Sequence, residues 1–173
     1  MDAPATARWL VYLRALVPFG TGVFAVALSS VPYSVAYLPP VTPFIALMVV
    51  FYWSIHRPEH LPTPAIFAIG LLQDVITGGP PGALALLLLL VHALTMSQRR
   101  ILLGQVYLVE WAGFALVAVG CSLAGWLLTC VYNAQLIVPW HFLVQALLTS
   151  ALYPAATLAL APAWRLSRAP EAA

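Results

Sequence analysis

Gly70-Leu71-Leu72-Gln73-Asp74-Val75-Ile76-Thr77-Gly78-Gly79-Pro80-Pro81-Gly82 puts a carboxylate near the end of an apolar segment. A turn built almost wholly of glycine and proline comes directly after it. The surrounding chain is nearly free of charge, so Asp74 is no ordinary solvated surface residue. An ionisable group in a membrane segment is costly and marks a functional site or a structural polar network. The run therefore reads as the end of a short membrane helix and the turn that leads to the next.

Composition supports that reading. Of 173 residues, 63% are hydrophobic and 7% charged, against about 25% charged in a soluble domain. The chain holds enough apolar sequence for several spans of roughly 20 residues, and no further stretch long enough for a soluble domain. Net charge is +2, from seven arginines and no lysine against five acids. So sparse and dispersed a charge excludes a nucleic-acid surface. Cys121 and Cys130 share one apolar segment, where a helix would separate them by about 13 Å of rise, beyond disulfide reach. They read as packing residues.

Hydrophobic runs and Pro/Gly breaks predict an all-α, polytopic membrane protein. Its six transmembrane helices fall at about 15–31, 39–55, 63–77, 82–97, 105–131 and 136–162, in a single domain over residues 1–173. With the N-terminus inside, the inner connections are the tail before 15, the loops 56–62 and 98–104, and the tail after 162. Arg8, Arg14, Arg57, Arg99, Arg100, Arg165 and Arg168 all fall there, and none lies in an outer loop. Positive charge at span ends orients toward the cytoplasm, so both termini are expected to be cytoplasmic. Ala27-Leu28-Ser29 offers a weak signal-peptide cleavage site, but a retained first span makes the simpler even-numbered topology.

The third segment, at about 22 Å of helix, is short against an apolar core near 30 Å. It must sit off-centre, thin the bilayer or line a cavity. Thr63 as N-cap and Pro64 as first helical residue suit its start. Gly70, Asp74 and Gly78 recur every four residues, a small-residue stripe where another backbone can approach. The fifth segment carries a comparable stripe of Glu110, Gly113, Val117, Gly120 and Ala124, read as packing within the bundle or as contact with a partner's single span.

Catalytic groups do not cluster. Asp74 and Glu110 are expected at opposite membrane faces, and there is no paired-carboxylate, His-x-x-x-His, Cys-x-x-Cys or Gly-x-Ser-x-Gly pattern. His56 and His60 flank Pro58, which interrupts any shared helix, so they read as loop histidines. His92 reads as a hydrogen-bonded imidazole within the bundle, with a network to Asp74 as the other option. His141 and Trp140 suit the headgroup zone. Asp74 itself could cap the outer end of its own helix or bind the turn amides of Thr77–Gly79, although the macrodipole opposes a carboxylate at a helix C-terminus.

Phe51-Tyr52-Trp53-Ser54-Ile55-His56-Arg57-Pro58-Glu59, together with the downstream Gly70-Leu71-Leu72-x-Asp74 and Gly78-x-Pro80-x-Gly82, resembles the rod shape-determining membrane protein MreD family. The likeness is specific over roughly residues 40–100 and generic elsewhere. Gln73 and Pro81 stand where the family pattern is apolar, often leucine. The resemblance implies a non-enzymatic subunit of the bacterial cell-elongation complex in the inner membrane. It would bind an MreC-type bitopic protein and support lateral peptidoglycan synthesis by RodA and a penicillin-binding transpeptidase, with MreB filaments on the cytoplasmic side. It further implies that Pro58, Gly70, Asp74, Gly78, Pro80 and Gly82 form a partner-binding or structural motif, that membrane lipid surrounds the chain, and that no cofactor is used. The family also resembles in fold the substrate-binding component of energy-coupling-factor vitamin transporters. The alternative function is therefore a small-molecule-binding transporter component, disfavoured by short outer loops poor in polar side chains.

Overall fold

Proline and glycine set both ends of the helix over Thr63–Thr77 and the start of the one that opens at Ala83, and charge does not. The computed structural model describes residues 5–29, 42–103, 107–136 and 138–167. They form six α-helices: α1 (Ala5–Ser29), α2 (Ile45–His56), α3 (Thr63–Thr77), α4 (Ala83–Leu103), α5 (Tyr107–Asn133) and α6 (Trp140–Ser167), with a 3-10 turn at Pro58–His60 between α2 and α3. No strand occurs among the described residues. Among the described residues two helices are long and apolar enough to cross a membrane, Tyr107–Asn133 and Trp140–Pro162.

Several boundaries differ from the expected spans for identifiable reasons. Helix α2 starts at Ile45 rather than 39, because Pro43 lacks an N–H to donate and restricts the residue before it; the Ile45 N–H instead folds onto the Pro43 carbonyl at 2.9 Å. Helices α1, α4 and α6 run past the hydropathy edges, through Arg8 and Arg14, through Arg99 and Arg100, and through Arg165. Arginine is a good helix former, so the expected loop 98–104 is helical as far as Leu103. The N-cap of α3 is Pro62 and not Thr63, with no side-chain capping bond. The expected span ends at 30–31, 39–41 and 105–106, residue 137, Arg168 and the tail 169–173 lie outside the described residues.

Helix α2 forms the axis of the bundle. Its residues Ala46 through Ile55 are all buried, as expected of a helix that is apolar all round. Phe51 meets Phe114 of α5 and Tyr153 of α6 edge-on, at centroid distances of 5.2 and 5.9 Å. Phe114 and Tyr153 stack on each other at 4.1 Å.

Several of the polar groups inside are paired across helices. Trp53 donates its indole N–H to Thr21 Oγ1 at 3.0 Å, and Thr21 in turn donates to the Pro18 carbonyl at 2.8 Å. Pro154 has no N–H, so α6 leaves the Ser150 carbonyl without its helical donor. The Trp111 indole takes that place at 2.9 Å. Arg99 Nε donates to the Ile55 carbonyl at 2.8 Å, a free acceptor at the negative end of α2. This bond brings Arg99 to the same end of the bundle as Arg57.

Candidate functional site

The site is assembled at the opposite end, where α3 turns into α4. Helix α3 stops at Thr77 because Gly78 adopts the left-handed conformation (φ 67°), and its N–H returns to the Asp74 carbonyl at 3.0 Å. This is the glycine-terminated helix end that costs a residue with a Cβ extra energy. Gly82 also has positive φ, 88°. Between them the Pro80 carbonyl accepts from the Ala83 N–H at 3.1 Å, the first bond of the next helix.

Asp74 is only 2% exposed, and its carboxylate does not serve its own helix. Oδ2 accepts from the backbone N–H of Gly82 at 2.8 Å and of Ala85 at 3.4 Å, and Oδ1 accepts from Leu84 N–H at 3.0 Å. These are free donors of the first turn of α4. The expected caps, on the end of α3 or on the amides of Thr77–Gly79, are therefore corrected. The macrodipole objection applied to the wrong helix: the turn folds the N-terminus of α4 back onto the side chain, and a helix N-terminus favours a carboxylate.

Gly70 makes this geometry possible one turn earlier. A Cβ there would collide with the Ala85 Cα and lie 2.8 Å from the Ala85 nitrogen. The two backbones therefore touch, which is what a small residue at a helix crossing permits. Ile69, on the neighbouring face, reaches across to Gly22 of α1 with its side chain.

Beside this hairpin is a cavity of about 210 Å³, bounded by α3, α4, α5, α6 and the segment 42–44. Gln73, Asp74, Thr77, Ser122, Thr129 and Gln145 supply its polar lining. Gln145 donates through Nε2 to the Thr42 carbonyl at 3.0 Å, Thr129 to the Gly125 carbonyl at 2.7 Å, and Thr77 to the Gln73 carbonyl at 2.8 Å. Gln73 is 5% exposed and its Oε1 has no hydrogen-bond partner. A larger groove of about 600 Å³ opens between α1, α2 and α6, but residues such as Phe24, Met48, Leu148 and Leu152 line it and no ionisable group does. The smaller cavity has the mixed lining of a recognition site.

The second carboxylate lies elsewhere. Glu110, in the first turn of α5, accepts the Tyr153 hydroxyl proton at 2.6 Å through Oε1. The cavity beside Asp74 meets α5 from Cys121 to Thr129, so Glu110 sits more than ten residues away along that helix, toward the other end. Among the described residues no group of three or more His, Cys, Asp or Glu is placed to hold a metal ion. His92 pairs with Ser54, Nδ1 to Oγ at 2.7 Å, and takes no part in the Asp74 network. His56 stacks on Tyr52 at a centroid distance of 4.3 Å and meets its carbonyl at 3.0 Å. Pro58 opens the 3-10 turn near the Arg57–Glu59 ion pair, 3.5 Å long, and so belongs to the arginine end, away from the other motif residues.

The α5 stripe is not the inward face of its helix. Phe114, Ala118, Cys121 and Ser122 are buried, whereas Gly113 and Ala124 are half-buried and Gly120 is exposed, with nothing within 4 Å of a Cβ placed on it. Packing of Gly120 within the bundle is thereby corrected: a neighbouring face of α5, carrying Phe114, Ala118, Cys121 and Ser122, turns inward instead. Sequence reasoning had no signal for the Tyr153–Glu110 bond, which joins residues 43 apart. It did have one for Trp111, since a proline inside α6 implies a freed carbonyl.

The chain matches the model of a family described as rod shape-determining protein MreD over residues 11–163. No curated protein and no solved structure matches it.

Proposed function

The chain belongs to the MreD family of rod shape-determining proteins, and from that premise we propose a non-enzymatic membrane subunit of the bacterial cell-elongation complex. In this reading six helices span the inner membrane, in a fold resembling the substrate-binding component of energy-coupling-factor transporters. Both termini are cytoplasmic, and the arginine end of the bundle faces the cytoplasm. The partner is an MreC-type bitopic protein, within an assembly that includes RodA, a penicillin-binding transpeptidase and MreB. The family match across most of the chain carries the proposal.

Two features support a scaffold role. The carboxylate of Asp74 has three backbone N–H groups around it, which suits holding a hairpin in shape better than moving protons. The exposed Gly120 leaves a narrow outward face on α5, suited to close approach by a partner's single span. In this reading Gly70, Asp74, Gly78, Pro80 and Gly82 shape the outer hairpin, Pro58 shapes the cytoplasmic turn, and Glu110, Gly113, Gly120 and Ala124 form the partner-facing stripe.

The test combines rescue of rod shape in cells lacking the chain with co-purification of the MreC-type protein. Wild type is expected to restore rods and capture the partner, and Gly120→Leu to lose capture while folding normally. Round cells despite a normal amount of folded wild-type protein would sink the reading. Full capture by Gly120→Leu would remove the stripe from it.

A further inference from the structure

Tyr107, Glu110 and Trp111, at the start of α5, hold α6 at three points around Pro154. We propose that they clasp a hinge in α6 and so set the width of the groove between α1, α2 and α6. Trp111 donates to the freed Ser150 carbonyl at 2.9 Å, and Glu110 accepts the Tyr153 hydroxyl proton at 2.6 Å. Further along, the Thr157 hydroxyl gives its proton to the Pro154 carbonyl at 2.8 Å. Tyr107 is therefore the donor in its 3.2 Å bond to Thr157. A proline removes one rung of the helical ladder and is where apolar helices kink, so α6 bends most easily at this level. The clasp replaces the lost rung with bonds from a neighbouring helix, which is how an apolar bundle tolerates a proline.

Space fixes the direction of the bend. Ser150, Tyr153 and Thr157 follow at three- and four-residue spacing, so the clasped residues share one face of α6. On that face Phe114 of α5 stacks on Tyr153 at a centroid distance of 4.1 Å and blocks movement. Leu152, Ala155, Ala156, Ala159 and Leu160 lie on the far face and line the groove of about 600 Å³. All but Leu152 come after Pro154, so the half of α6 beyond the hinge forms much of the groove's wall. Across from it stand Thr21 and Phe24 of α1 and Met48 of α2. While the clasp is closed, this half-helix is held against α5 and the groove is wide. Once released, its free travel is toward α1, which narrows the groove. The start of α5 thereby controls a groove that no described residue of α5 lines.

The experiment is a spin-label distance measurement by pulsed electron resonance on the full chain in lipid nanodiscs. Cys121→Ala and Cys130→Ser clear the background, and labels are carried by Gly20→Cys and Ser167→Cys. Gly20 is exposed on α1, with nothing within 4 Å of a Cβ placed there, and Ser167 ends α6. Trp111→Phe with Tyr153→Phe removes two clasp bonds and keeps an aromatic ring at each position. The 13 residues from Ala155 to Ser167 make a lever of about 20 Å. A bend of about 20° at its base moves the label by roughly 7 Å. We expect one narrow distribution in the labelled parent and a mean shorter by about that amount in the double variant. Adding Pro154→Ala restores the missing rung and should return the parent distance with the clasp still broken, a rescue that general loosening of the bundle would not show. Trp111→Phe alone, read in parallel, is expected to broaden the distribution toward shorter distances, and melting temperature certifies that each variant folds. Unchanged distances in the folded double or single variant, a shift to longer distance, or a shift that Pro154→Ala does not reverse overturns the proposal. None of these outcomes bears on partner capture or rod shape, so the hinge and the proposed function can fail separately.

Discussion

The hairpin of α3 and α4 and the outward face of α5 carry nearly the same sequence pattern, yet they have opposite fates in the fold. Each sets a carboxylate among small residues at helical spacing: Gly70, Asp74 and Gly78 in one, Glu110, Gly113, Gly120 and Ala124 in the other. In the hairpin the pattern is consumed internally. Gly70 touches the Ala85 backbone and Asp74 holds the amides of α4. On α5, Gly120 faces outward with open space beside it, and Glu110 has a single tyrosine partner on α6. The neighbours available to each helix make the difference. A five-residue turn folds α4 straight back onto α3, whereas α5 turns Phe114 and Ala118 inward instead, with Phe114 against Phe51 of α2.

The comparison can be broken most forcefully at Gly70. Gly70→Leu must push two backbones apart, beyond the ~1–3 kcal/mol of ordinary overpacking. We expect a loss of roughly 3 kcal/mol or more, read as failure to recover monodisperse protein or as a large fall in melting temperature in detergent. Normal folding of this variant would refute the close contact. Next in size is Asp74→Ala, which orphans the N–H groups of Gly82 and Leu84, both half-buried, and of the buried Ala85. Charge-assisted bonds of this kind contribute about 1.5–3 kcal/mol, so a loss of about 2–3 kcal/mol is expected. Asp74→Asn keeps one acceptor oxygen and should lose about half as much. Equal melting of Asp74→Ala and wild type would show that water replaces the carboxylate.

At the other region the effects shrink. Tyr153→Phe removes the hydroxyl that Glu110 accepts and keeps the stack on Phe114. The expected cost is about 1–2 kcal/mol, measurable as a lower melting point that Glu110→Gln does not lower further when the two are combined. Gly120→Ala is expected to leave stability unchanged or raise it by up to ~1 kcal/mol through helix propensity. A destabilised Gly120→Ala would mean that α5 packs closely on another element at this face.

Much of the helical layout was legible. The α3 segment, read as 63–77, is Thr63–Thr77 in the structure, because Pro64 and Gly78 mark its two ends in the sequence itself. The ends of α1, α4 and α6 were not legible, since hydropathy falls at an arginine although the helix continues through it. Asp74 stood out as an anomalous charge, but its partners did not. They lie eight to eleven residues on, and helical spacing says nothing about how a turn returns the chain.

What the sequence determined by itself was the class of the molecule and the points where its helices must break, because composition, proline and glycine act through local backbone chemistry. The family came from a motif that can be read in line. Only the tertiary structure decided which small residues are packed and which are open, which helix the Asp74 carboxylate serves, and that Gln73 is left unpaired beside a cavity. Those outcomes depend on which faces meet across the bundle. Contacts between residues distant in the chain settle that competition, and no local pattern encodes its result.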